Sequence, residues 1–168
     1  QYDSNEPWDS PGNRELLSTA SNPYHCPEQS EEGGSQTNYV AVLGPGTAWP
    51  GDKPTKMVDF VDGTSTTLLL VEVVDSEIAW TEPRDLTIQQ GVNGLRQGGG
   101  LAIGSGHKFS NSLLARNLGT HLGYADGHLE LLRENVPSDR WKEVFLLNDG
   151  KPTAGSSYYD FSLSDGLR

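Results

Sequence analysis

The sequence predicts a single α+β domain, an antiparallel β-sheet with short helices, and three observations lead there. Hydrophobic residues are only 34% of the 168, while 20 Gly and 10 Pro punctuate the chain, a composition of short strands and many turns rather than of a helical bundle. The run "STTLLLVEVV" is an almost unbroken apolar strand, so it is expected to be buried on both faces near the sheet's centre. In "HLGYADGHLEL", His121 to Leu131, two alternating runs flank an Asp-Gly pair, which is a strong short-range sign of a hairpin. A chain of this length needs only one core.

Taken in order, residues 1–36 form a polar, acidic N-terminal segment with one short helix. In "SPGNRELLSTA" Ser10 is the cap, Pro11 the first helical residue, and Leu16 and Leu17 the apolar anchors. "PEQSEEGGSQ" reads as a mobile loop. Residues 37–150 form a β-rich head. There "TNYVAVLG" is a strand, "PGTAWPGDKP" a long loop, and "EIAWTE" a strand paired beside the central one through a tight turn near Asp75 and Ser76. The glycine-heavy span that follows is expected to be loop, with one short strand at Leu101 to Ile103. "PSDRWKEVFLLNDG" spaces Trp141, Val144 and Phe145 as a short amphipathic helix. Residues 151–168 are a Gly/Ser/Tyr-rich tail, with an edge strand through Tyr158 to Phe161 as its one candidate element.

In the hairpin, a type I′ turn at Asp126-Gly127 sets Ala125 opposite His128, Tyr124 opposite Leu129, and Leu122 opposite Leu131. Leu122, Tyr124, Leu129 and Leu131 then face inward. His121 and His128 share the other face but stand ~13 Å apart, too far for one metal ion. The turn chemistry accounts for Asp126 without a catalytic role.

Charge narrows the function. With 12 Lys and Arg against 23 Asp and Glu the formal charge is −11, so a phosphate backbone is repelled and nucleic acid is not an expected partner. Direct membrane contact is disfavoured for the same reason. Cys26 is the only cysteine, which leaves no internal disulfide and no thiolate metal cluster. Asp59 and Asp62 in "DFVDGTST" are the calcium candidates, although the EF-hand pattern is absent and no other cofactor is expected. No phosphate loop, nucleophile elbow or nucleophile–base pair is present, so an enzyme is not expected. Trp8 and Trp49 are the two tryptophans placed in loops, and Trp49 is the candidate ligand-facing aromatic. The chain opens at Gln1 without an initiator Met and holds no long apolar run; the expectation is a cut edge, with any signal peptide or membrane segment lying outside it.

Four segments, "TNYVAVLGPGTAWPG", "DGTSTTLLLVEV", "WTEPRDL" and "YADGHLELL", together closely resemble a large planctomycete family of secreted proteins of unknown function. Its members start with a prepilin-type helix and end in a "His, nine residues, Asp-Gly" signature. The resemblance runs from about Trp8 to Gly150. Asp62, Gly63, Thr64 and Ser65 match the family's first Asp-Gly motif, and Asp126 with Gly127 the C-terminal one. The family's His slot, ten positions before Asp126, holds Arg116, with His107 and His121 out of register. A catalytic role for that slot would leave this member impaired, whereas a structural role survives the change.

The resemblance implies a pilin-like globular head lacking its N-terminal helix. The expected function is that of a non-enzymatic, extracytoplasmic head domain of a type IV pilin or type II secretion pseudopilin kind. Other pilin-like subunits would be its partners, through the absent helix, and the full-length protein would be membrane-anchored or filament-assembled. The alternative is a secreted solute- or carbohydrate-binding module that uses the glycine-rich loops and Trp49.

Overall fold

The computed structural model describes residues 1–19, 22–27, 34–51, 53–93, 102–103, 120–132 and 138–148. The glycine-rich span around His107, Arg116 and the tail 151–168 lie outside the described residues, as does most of the expected mobile loop.

One six-stranded sheet organises the chain. Its strands are β1 (Tyr39–Leu43), β2 (Leu68–Val74), β3 (Leu86–Thr87), β4 (Ala102–Ile103), β5 (Thr120–Tyr124) and β6 (Leu129–Leu132). The spatial order is β3-β1-β2-β5-β6, with β4 also pairing to β2. The apolar run takes the centre, as expected, but it is not buried on both faces, since Leu70 is 42% exposed. Three helices complete the fold: α1 (Pro11–Thr19), α2 (Ile88–Asn93) and α3 (Ser138–Phe145).

One face of the sheet builds the core. Val40 and Val42 of β1, Leu68, Val71 and Val73 of β2, and Leu122 and Tyr124 of β5 pack with Ile78, Leu86, Val144 and Phe145, while Ile88 and Val92 of α2 close over them. A bulge between Leu68 and Leu70 lets both Leu68 and Val71 point inward, because one extra residue resets the alternation. Gly91 permits the close approach of α2: a Cβ there would meet Phe145 Cε2 at 3.2 Å and Val42 Cγ1 at 3.3 Å.

Three expectations are corrected. The sheet is mixed rather than antiparallel, because β1 pairs with β3 in parallel. The strand β3 arrives after an irregular loop whose Asp85 carboxylate accepts the Ala41 N–H at 2.8 Å, standing in for a ladder partner. "EIAWTE" forms no strand beyond an isolated bridge from Ala79 to Gln36; Asp75 and Glu77 both adopt left-handed backbone (φ 50° and 53°), which turns the chain out of the sheet. The start of the glycine-heavy span, Gln89 to Asn93, read as loop, belongs to the helix Ile88–Asn93, its glycine serving packing rather than a turn.

The N-terminal segment is more ordered than its polarity implies. Ser10 Oγ caps α1 by accepting the Asn13 N–H at 3.3 Å. The buried Asn13 then knots residues 3–7 onto the helix: its Oδ1 accepts from Asp3 N at 2.9 Å, and its Nδ2 donates to Asp3 O at 3.0 Å and Pro7 O at 2.9 Å. Asn38 ties residues 22–27 to the sheet, accepting from Cys26 N at 2.7 Å and donating to Val73 O at 3.2 Å. No helix among the described residues is long and apolar enough to cross a membrane.

Candidate functional site

The two Asp-Gly motifs meet. Gly63 (φ 109°) turns the chain into β2, and Thr66 Oγ1 donates to Asp62 O at 2.7 Å while Thr67 Oγ1 donates to Gly63 O at 3.0 Å. The hairpin loop docks on this turn through its backbone, with Asp126 N donating to Thr64 O at 3.1 Å and Ala125 N to Thr67 O at 2.9 Å. Asp62 N donates to Leu147 O at 3.1 Å, fastening the same turn to the end of α3. Asp62, Gly63, Thr64, Asp126 and Gly127 thus form one backbone-bonded junction, and Ser65 lies exposed at its rim. Its bonds are those of a structural clasp.

That docking also resets the hairpin. The loop has three residues, Ala125, Asp126 and Gly127, rather than two: Gly127 N donates to Tyr124 O at 3.0 Å, Tyr124 N donates to His128 O at 3.1 Å, and Gly127 is left-handed at φ 90°. The pairs are His121↔Leu131, Leu122↔Glu130 and Gly123↔Leu129. A one-residue slip moves a whole strand's side chains to the opposite face. Leu129 and Leu131 therefore leave the expected core face and join His121 and Gly123 on the outer one. His128 moves the other way, stacking on Tyr124 with ring centroids 4.3 Å apart, so the two histidines lie on opposite faces. Asp126 accepts the His128 N–H, and this bond, reinforced by the imidazole, holds its carboxyl below the usual carboxylate range.

The outer face has two rows. In the first, Tyr39, Glu72, His121 and Leu131 are neighbours across β1, β2, β5 and β6. Glu72 is fully buried (0% exposed); its Oε2 lies 2.6 Å from His121 Nδ1 and accepts the His121 N–H at 3.1 Å. Burial and the neighbouring Glu72 push the Tyr39 hydroxyl up to about 12, with Cys26 adding a hydrogen bond. A carboxylate in mid-sheet is tolerated because charged groups are buried with partners.

The second row is apolar and open. Leu70 of β2 is 42% exposed and Leu129 of β6 is 75% exposed, with Gly123 between them on β5. A Cβ on Gly123 would meet Leu70 Cβ at 3.6 Å and Leu129 Cδ2 at 3.7 Å, so the glycine leaves a notch flanked by two leucines. This patch was not read from the sequence, because the hairpin register that creates it is set by the distant turn at residues 62–67.

Among the other candidates, Trp49 is 42% exposed, but its indole N–H already donates to Leu69 O at 2.8 Å, at the bulge in β2. Asp59 is used locally, its Oδ2 accepting Lys56 N at 2.7 Å to close a short 3-10 turn. No group of three or more His, Cys, Asp or Glu among the described residues is arranged to hold a metal ion. Cys26, the chain's single cysteine, is fully buried. No protein-family model, no curated protein and no solved structure matches this chain.

Proposed function

We propose that this chain is the non-enzymatic, extracytoplasmic head of a pilin-like or pseudopilin-like subunit, and that it joins its partners through the outer face of the sheet. The observation that supports this reading is the apolar row of Leu70, Gly123 and Leu129. Its leucines are exposed, whereas the opposite face of β2 and β5 is packed through Leu68, Val71, Val73, Leu122 and Tyr124. Exposed apolar surface of this kind, framed by polar residues, is typical of a docking surface. The glycine notch suits a ridge of apolar side chains on an approaching helix, and the buried Glu72–His121 pair stiffens the strands beneath it. The family resemblance supplies the occupant, an apolar helix of the assembled subunit.

The test is Leu129→Glu, with Leu70→Glu as a second variant, in the full-length protein. The proposal expects each isolated chain to melt within a few degrees of the wild type, since Leu129 is exposed and Leu70 partly so, while assembly into higher-order structure is lost. Unchanged assembly in both variants would remove the proposal.

A further inference from the structure

We propose that the groove between α1 and the loop that follows β2 is a binding subsite for a neutral saccharide, with Trp8 as its stacking platform. The groove has a volume of about 510 Å³ and is lined by Trp8, Arg14, Leu17, Gln36, Glu77 and Glu82, among others. That volume falls inside the roughly 300–1,000 Å³ usual for small-molecule sites. The groove shares no residue with the Leu70–Gly123–Leu129 row, so the two proposals stand or fall separately.

The charges in the groove balance. Glu82 is held by Arg84, whose Nε lies 2.5 Å from Oε1 and keeps the carboxyl below its usual range. Arg14 and Glu77 contribute one charge of each sign, so neither an anion nor a cation is favoured overall. Planar carboxylate, guanidinium and amide groups around an indole suit a ligand that offers paired hydroxyls along its edge and C–H groups on its face. A sugar ring has both.

The walls are built in advance. Ala79 bridges to Gln36, Trp80 N donates to Ser35 O at 2.9 Å, and Glu77 N donates to Gln36 Oε1 at 3.0 Å. Ala79 N donates to Glu82 Oε2 at 3.2 Å, closing the loop on itself. On the other side the Asn13 knot and the Ser10 N to Pro7 O bond of 3.0 Å fix the backbone on both sides of Trp8. Such a preformed site spares a ligand the ordering cost of a flexible loop.

The experiment is a titration of the chain with cellobiose and with diacetylchitobiose, followed by NMR of the four tryptophan indole N–H signals. The expected result is a saturable shift of the Trp8 signal at about millimolar sugar, with Trp49 unmoved. Trp8→Ala is expected to weaken binding by about tenfold or more and Glu77→Gln by several-fold, both with melting temperatures near the wild type. Trp8 lies outside the core cluster, and Glu77→Gln keeps the shape of the loop, so loss of fold does not confound both. No saturable shift with either sugar, or binding that survives Trp8→Ala, overturns the proposal. A Trp8 shift caused by glutamate or by a quaternary ammonium ion, and by neither sugar, also overturns it.

Discussion

The pairing of Glu72 with His121 makes a quantitative prediction for His121→Ala. Glu72 is 0% exposed and its Oε2 lies 2.6 Å from the imidazole Nδ1, so truncation removes a side-chain hydrogen-bond partner from a buried carboxyl group. Leaving a buried polar group short of a hydrogen-bond partner costs about 1–3 kcal/mol, and more where the group is charged. Two features reduce that figure here. The His121 N–H, 3.1 Å from the same oxygen, survives in alanine, and the imidazole is 33% exposed, so water can reach the space it leaves. The expected loss is about 2 kcal/mol, a fall in Tm of about 4–8 °C for a chain of this size. Urea and thermal denaturation of His121→Ala, Glu72→Leu and the double variant give the cycle. The double variant should be less destabilised than the sum of the singles by about 1 kcal/mol or more, because the two side chains bond to each other and that bond is lost only once. A loss below about 0.5 kcal/mol for His121→Ala, or strict additivity, would refute the reasoning.

Two further predictions use the same strands. Gly127→Ala should cost about 1 kcal/mol through backbone strain alone, since φ is 90° and nothing lies within 4 Å of the added methyl; an unchanged urea midpoint would argue against the three-residue loop. Absorbance titration should show a late tyrosine step near pH 12, and Tyr39→Phe should remove it. Because the folded value lies above the unfolded one, this contribution to stability is intact below about pH 10 and declines as the pH rises toward 12. A single tyrosine transition near pH 10 would contradict the burial of Tyr39 beside Glu72.

The parts of the fold legible in sequence are those written in short-range pattern. The apolar density of Leu68–Val74 gave away the central strand, Ser10 and Pro11 the start of α1, and Val144 and Phe145 the inward face of α3. The hairpin was visible as such, but an Asp-Gly pair fits both a two-residue turn and a three-residue loop ending in a left-handed glycine. The choice between them is made by Asp126 N and Ala125 N, which bond to carbonyls about 60 residues earlier in the chain. Glu72 is the lone charge in an apolar run, but nothing in the run singles out its partner, which lies 49 positions away, beyond any local rule. "EIAWTE" has the composition of a strand, but left-handed Asp75 and Glu77 take it out of the sheet. The asparagines were the least visible: Asn13 and Asn38 organise the N-terminal segment through side-chain bonds that no periodicity reveals.

The central claim is that the outer face of the sheet is covered in the assembled protein. It is tested by introducing Leu129→Cys or Leu70→Cys and labelling with a membrane-impermeant maleimide. Cys26, the sole native cysteine, is 0% exposed, so the background is low. In the isolated chain both introduced thiols should react readily. In cells carrying the full-length protein both should be protected, while a thiol placed at exposed Ser65, which is not part of the Leu70–Gly123–Leu129 row, stays reactive to the external reagent. Equal reactivity of Leu129→Cys in the isolated chain and in the assembled protein would contradict the account.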